Sequence, residues 1–247
     1  MTNFNYREAF SRNIGVVSEE TQDKIQSTTV AIAGCGGMGG AHAHTLARLG
    51  VGQFKLADPD IFELANFNRQ YGATTETVDC FKTVITELMI REINPEASVH
   101  IFPSGITTRN IDNFLKGVDV VVDALDFFAL GARKLLFDAA FAKGIPVITA
   151  APVGLYGFAK LFWSGESFNI TFSTYDEIPI ADQLTRFAEA VIGPNIHQYF
   201  LPGALDIGSG LAPSTIIGVQ DASAKAARLV LEVIQNAKAA RLVLEVM

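Results

Sequence analysis

Apolar and polar positions follow two alternating periods through the first 150 residues of the chain. Short β-rich runs at 29–34, 53–58, Ser98–Phe102, 118–123 and 146–150 read as strands. Between them, helical spacing predicts helices over Gly37–Leu49, closed by Gly50, over 79–93, stopped by Asn94 and Pro95, over 109–116, and over 127–143, closed by Gly144. Strand and helix in strict alternation is the grammar of a parallel sheet covered on both faces, so an α/β, doubly wound architecture is expected. The pattern then changes. Segments 157–163 and 168–173 alternate like an antiparallel pair joined at Ser164, Gly165 and Glu166, and they predict an extension of the sheet edge. Residues 174–198 are weakly periodic, which predicts loops around a short helix. A Gly- and Pro-rich segment runs on to Pro213, and a terminal helix is expected from about Ser214.

Composition narrows this picture. At 247 residues the chain is long enough to bury a sizeable core as one domain. The expected division is an arm and helix over 1–28, a nucleotide-binding core over 29–150, and a sheet extension with crossover loops and terminal helix over 151–247. Asp119, Asp123 and Asp126 interrupt the most apolar stretch, so no membrane span is expected. Residues 1–10 lack a basic segment and an apolar core, so no secretory signal is read and a cytoplasmic protein is expected. A net charge of −7 argues against a general nucleic-acid surface. The two cysteines, Cys35 and Cys80, cannot make paired C-x-x-C zinc sites, and no zinc is expected. His42 and His44 point in different directions from one helix and do not suggest a metal pair.

The chemistry begins where the run Thr29-Val-Ala-Ile-Ala enters Gly34-Cys-Gly36-Gly37-Met-Gly39-Gly40 and then a helix. Glycines let the backbone come close to a ligand, while free N–H groups and the helix dipole attract an anion. Asp58 ends the next strand about 20 residues later, where a carboxylate can accept hydrogen bonds from ribose hydroxyls. This much is a Rossmann-like nucleotide fingerprint, and NAD satisfies it as well as ATP.

The following segment, Asp58-Pro-Asp60-Ile-Phe-Glu-Leu-Ala-Asn66-Phe-Asn68-Arg69-Gln70, with Lys82 thirteen residues beyond Arg69, separates the two. Together with the glycine loop it resembles the ThiF/MoeB and ubiquitin-activating family, whose pattern is G-x-G-G-x-G, D-x-D, S-N-x-x-R-Q and a helix bearing a lysine. The resemblance runs from Phe10-Ser-Arg12-Asn-Ile through Ala124-Leu125-Asp126, covers roughly residues 6–160, and is weaker in the terminal helix. It implies ATP-dependent adenylation of a carboxylate with release of pyrophosphate. It also implies a nucleotide site drawn from Gly34, Gly36, Gly37, Gly39, Asp58, Asp60, Asn66, Arg69, Gln70, Lys82, Leu125 and Asp126, with Asp126 holding magnesium. A homodimer is implied too, in which Arg12 reaches the neighbouring subunit's ATP and acts with Arg69, Lys82 and Asp126. The implied substrate is a carboxylate such as a ubiquitin-like C-terminus, a peptide, or a carboxylated RNA nucleoside, the last disfavoured by the acidic charge.

Elementary electrostatics points the same way. A carboxylate approaching a triphosphate costs about 4 kcal/mol per unit charge pair at 4 Å and an effective dielectric near 20, so cations must be supplied. Arg69 offers a planar fork for phosphate oxygens, and Lys82 a movable point charge for the reacting centre. Taken singly, Lys82 is also an ordinary helix lysine, Asp126 a helix cap and Arg69 a surface arginine. An NAD-dependent oxidoreductase would leave all three idle, and a non-catalytic nucleotide-binding subunit would not need them intact. Phe127 stands where the family has Asn, and two extra residues precede Arg133, the match to the family's helix arginine. No cysteine occurs in 174–198, so no thioester step is expected there. The segment AKAARLVLEV of 224–233 recurs letter for letter at 237–246. On one helix this offset rotates the second copy by about 220°, so the copies face differently, and we give the repeat no functional weight.

Overall fold

The computed structural model describes residues 4–163, 167–174, 177–206 and 212–244, with side chains through residue 236. The elements run α1 (Tyr6–Ala9), α2 (Glu19–Ser27), β1 (Thr29–Ala33), α3 (Gly37–Leu49), β2 (Gln53–Ala57), α4 (Lys82–Ile93), β3 (Ser98–Phe102), α5 (Ile111–Leu115) and β4 (Val120–Asp123). They continue with α6 (Leu130–Ala142), β5 (Val147–Val153), β6 (Tyr156–Phe162), α7 (Phe168–Phe172), α8 (Ile180–Ile192) and α9 (Ile216–Leu244). The sheet order is β3-β2-β1-β4-β5-β6, parallel throughout except for the β5–β6 pair. The chain winds outward from β1 in one direction and from β4 in the other. A crevice therefore opens at their carboxyl ends, where ligands bind in such folds.

β1 and β4 are buried at every position, as strands covered on both faces must be. One face carries α3 and α9, with Leu46, Val219, Ala226 and Val230 in the core. The other carries α5 to α8 through Phe114, Phe137, Phe168, Phe172 and Phe187. The doubly wound, mostly parallel sheet read from the sequence is this one.

Several boundaries differ, each for a local reason. The helix expected from residue 79 starts at Lys82, because Asp79 takes a left-handed φ of 66° and bridges Phe62–Val78 and Ile61–Phe81 hold the preceding chain. The helix expected from 127 starts at Leu130, because Asp126 Oδ1 accepts the Phe128 N–H at 2.9 Å and closes a turn first. The antiparallel pair is also misplaced by the sequence reading. β6 pairs with β5, in register Val153↔Tyr156 through Val147↔Phe162, while Phe168–Phe172 forms a helix. Phe168 and Phe172 share one helical face and pack on Phe137 and Phe187, which turns Ile170 outward. The expected turn at 164–166, and the side chains of the second repeat copy, lie outside the described residues. Where loops around a short helix were expected, α8 is a helix of 13 residues.

α3 also buries His42 completely, its Nε2 without a hydrogen-bond partner, and burial pushes its pKa down to about 3. The folded protein therefore holds His42 neutral, whereas the unfolded chain takes up a proton below about 6.5. The stabilisation is complete above pH 6.5 and fades as pH falls toward 3. By pH 5 the loss from this one group is expected to reach about 2 kcal/mol. Urea unfolding of the wild type and of His42→Leu across pH 5–7 should show a steeper pH dependence for the wild type.

Candidate active site

At the crevice, β1 is followed by Gly34, whose φ of 94° suits glycine and whose N–H donates to Ala57 O at 2.7 Å. A Cβ on Gly34 would lie 2.2 Å from Ala124 O, and one on Gly39 only 1.8 Å from Gly34 O. The chain is thus pressed against β4 at Gly34 and against its own loop at Gly39, with no room for a side chain at either position. The α3 N-cap is Gly36, with no side chain capping it, so first-turn N–H groups are left for an anion.

Asp58 ties this loop to β2. Its Oδ2 accepts the Cys35 N–H at 2.6 Å and its Oδ1 the Asp60 N–H at 2.8 Å. Burial raises its pKa, against the lowering effect of these two hydrogen bonds and of Lys82. Each oxygen keeps a further acceptor site, so a ribose hydroxyl has somewhere to donate. Lys82 opens α4 almost fully buried, its Nζ 3.0 Å from Asp60 Oδ2. Half-buried Arg69 is braced by Ala65 O at 2.9 Å and Asn68 Oδ1 at 2.8 Å. Gln70 is buried beside Gly36 with Oε1 unpartnered. Asn66 holds the turn that presents these two, its Oδ1 accepting Glu63 N–H and its carbonyl the N–H groups of Arg69 and Gln70.

Beyond β4, Asp126 is exposed at the rim. Beneath it lies a buried network on which sequence reasoning put no weight. Asp123 Oδ2 accepts from Arg133 Nε and from Thr149 Oγ1, each at 2.9 Å, and all three residues are buried. The other Arg133 nitrogens donate to Phe127 O, Leu125 O and Asp126 O, and its guanidinium lies 4.6 Å from the Phe187 ring centroid. One side chain therefore fixes the loop carrying Asp126 and touches α8. An aspartate closing the run Val120-Val-Val-Asp123 was the available signal.

These groups border one cleft of about 680 Å³. Gly34, Gly36, Gly37, Asp58, Asp60, Arg69, Gln70, Lys82, Leu125 and Asp126 line it. Gly39 sits beneath the loop, Asn66 behind the turn, and Arg12 lies exposed on the short turn Ser11–Asn13, outside the cleft of its own chain. Cys35 is buried, its thiol pushed far up by burial and by Asp58, and Cys80 is half-buried; neither lines the cleft. Among the described residues no three His, Cys, Asp or Glu side chains gather as a metal site, and no helix is long and apolar enough to cross a membrane.

A doubly wound sheet with an uncapped glycine-loop helix and two cations at its carboxyl edge defines a nucleotide-site α/β protein. The chain belongs to the ThiF family, whose model matches residues 10–228. It is 36% identical over 138 residues to the sulfur carrier protein ThiS adenylyltransferase of Bacillus subtilis, covering 55% of this chain and 40% of that protein. It is 34% identical over 142 residues to the tRNA threonylcarbamoyladenosine dehydratase of the same species, covering 57% and 55%. The chain thus spans about half the length of these relatives. In fold it resembles Escherichia coli TcdA solved with AMP, at TM-score 0.71 and 22% identity over 97% of this chain and 99% of that one. Escherichia coli MccB solved with MccA-N7isoASN matches at TM-score 0.66 and 22% identity, over 94% and 65%.

Proposed function

We propose that this chain adenylates a carboxylate, using ATP and releasing pyrophosphate, and that the acyl-adenylate passes to a further nucleophile. The observation that carries this is the convergence of the α3 N-terminus, Arg69 and Lys82 on one cleft. The helix end and Arg69 cradle phosphate oxygens. Lys82, nearly buried, meets charge where it grows in the transition state, at the attacked phosphorus and the departing pyrophosphate. Asp58 takes ribose hydroxyls, and Gln70 lines the cleft beside Gly36. Asp126 fits magnesium, which commonly takes one or two protein carboxylates with phosphates and waters. Bound there, magnesium would neutralise phosphate charge. Relatives named as adenylyltransferases support the reading.

In this proposal the protein works in the cytoplasm as a homodimer, and Arg12 serves the partner's cleft, which agrees with its exposure away from its own. Hydride transfer to NAD gives Arg69, Lys82 and Asp126 no task. Calorimetry is expected to show ATP with magnesium binding and NAD binding more weakly; NAD binding without ATP binding would overturn the assignment.

A further inference from the structure

Asp126 owes its place at the cleft rim to a side chain on α6. The carbonyls of Leu125, Asp126 and Phe127 all accept from Arg133, at 2.8, 3.0 and 3.0 Å, while its Nε donates to Asp123 Oδ2 at 2.9 Å. Three consecutive carbonyl groups drawn to one guanidinium fix the turn. Asp126 Oδ1 is tied into that turn by the Phe128 N–H at 2.9 Å, so the direction of the carboxyl group follows from Arg133. Phe127, standing where the family pattern has Asn, brings no polar side chain to the loop. All three nitrogens of Arg133 donate within the protein, which leaves only the faces of its plane open. Phe187 of α8 lies against one face, its ring centroid 4.6 Å from the guanidinium carbon. That ring is itself held by Phe168 and Phe172.

Resting on the proposed adenylation, in which Asp126 holds magnesium, we infer that Arg133 is a positioning residue for that carboxylate and that Phe187 keeps the guanidinium in the plane the three carbonyls need. With its nitrogens engaged by Asp123 and the loop, Arg133 acts through Asp126 and not on phosphate. A carboxylate released from the turn would lose its fixed direction toward the ion. The glycine loop, Asp58 and Arg69 would still hold ATP. Groups that orient a metal-holding side chain typically contribute 10-fold to 100-fold to metal affinity. Loss of Arg133 should therefore fall on the magnesium-dependent part of nucleotide binding.

The test is calorimetry of ATP binding to the full chain, once with magnesium and once with EDTA in its place, so that the ratio of the two affinities measures what the ion contributes. Arg133→Lys, with its fold checked by circular dichroism, is expected to reduce this ratio at least about tenfold and to leave the affinity in EDTA unchanged. Phe187→Leu, which removes none of the Arg133 hydrogen-bonding groups, should reduce it about threefold, and it decides alone if Arg133→Lys does not fold. In an Asp126→Asn background neither substitution should change the ratio further. A ratio unmoved by the folded variants, an equal loss in EDTA, or an effect that persists in Asp126→Asn overturns the inference and makes Arg133 structural only. If Asp126→Asn itself leaves the ratio intact, the magnesium assignment of Asp126 falls and this inference with it, while adenylation is still judged separately by pyrophosphate exchange.

Discussion

Replacing Lys82 with alanine is expected to slow adenylate formation 10²-fold to 10³-fold, about 3–4 kcal/mol, while changing ATP affinity little. The effect falls on the rate because an interaction that strengthens only as charge develops lowers the barrier without tightening the ground state. The setting sharpens this. Lys82 is 7% exposed and already paired with Asp60, whose side chain remains 63% exposed, so ground-state attraction to the nucleotide is partly offset. Removing Lys82 strands the solvated Asp60 carboxylate and takes a nearby cation from buried Asp58, which keeps its two backbone hydrogen bonds, so the fold should survive. Single-turnover rates beside calorimetric ATP affinities separate the two quantities. An equal loss in both would make Lys82 a binding group, and no loss in either would make it structural.

Replacing Arg133 with methionine is expected to destabilise the protein by about 3–5 kcal/mol, because it leaves Asp123 charged, 1% exposed and without its cation. Chemical denaturation measures this directly. Arg133→Lys should recover only part of the loss, since a point charge cannot serve Asp123 and three carbonyls at once. A loss below about 1 kcal/mol would show that Thr149 and the Leu125 N–H already satisfy Asp123.

The parts of the fold legible in the sequence are those where local and global demands agree. In β1, the glycine loop and α3, burial, turn chemistry and period all require the same backbone, so the boundaries of α3 were readable to the residue. Phe168–Phe172 was misread because Phe168, Ile170 and Phe172 satisfy a period of two as well as an i, i+4 pair. Contact with Phe137 and Phe187, distant in sequence, decides for the helix. α8 was underestimated although Leu184, Phe187, Ala188 and Val191 are buried at helical spacing. Its N-cap is Pro179, with no side-chain cap to announce it. In the site, residues contiguous with a motif could be named from the sequence. Asp123, Arg133 and Thr149 meet only through the folded loop, and no spacing along the chain announces that Asp123 serves both side chains as well as the Leu125 N–H. Asn66 and Gly39 lie in the motif yet face away from the cleft, because holding a turn and packing a loop also fix residue type.

The central claim is reversible formation of an acyl-adenylate, and exchange of radiolabelled pyrophosphate into ATP measures it most directly. The account predicts exchange that requires both magnesium and a carboxylate substrate and that falls 10²-fold or more in Lys82→Ala. Folded, ATP-bound protein that exchanges no label with any carboxylate offered, or a rate unaltered by Lys82→Ala, would contradict it.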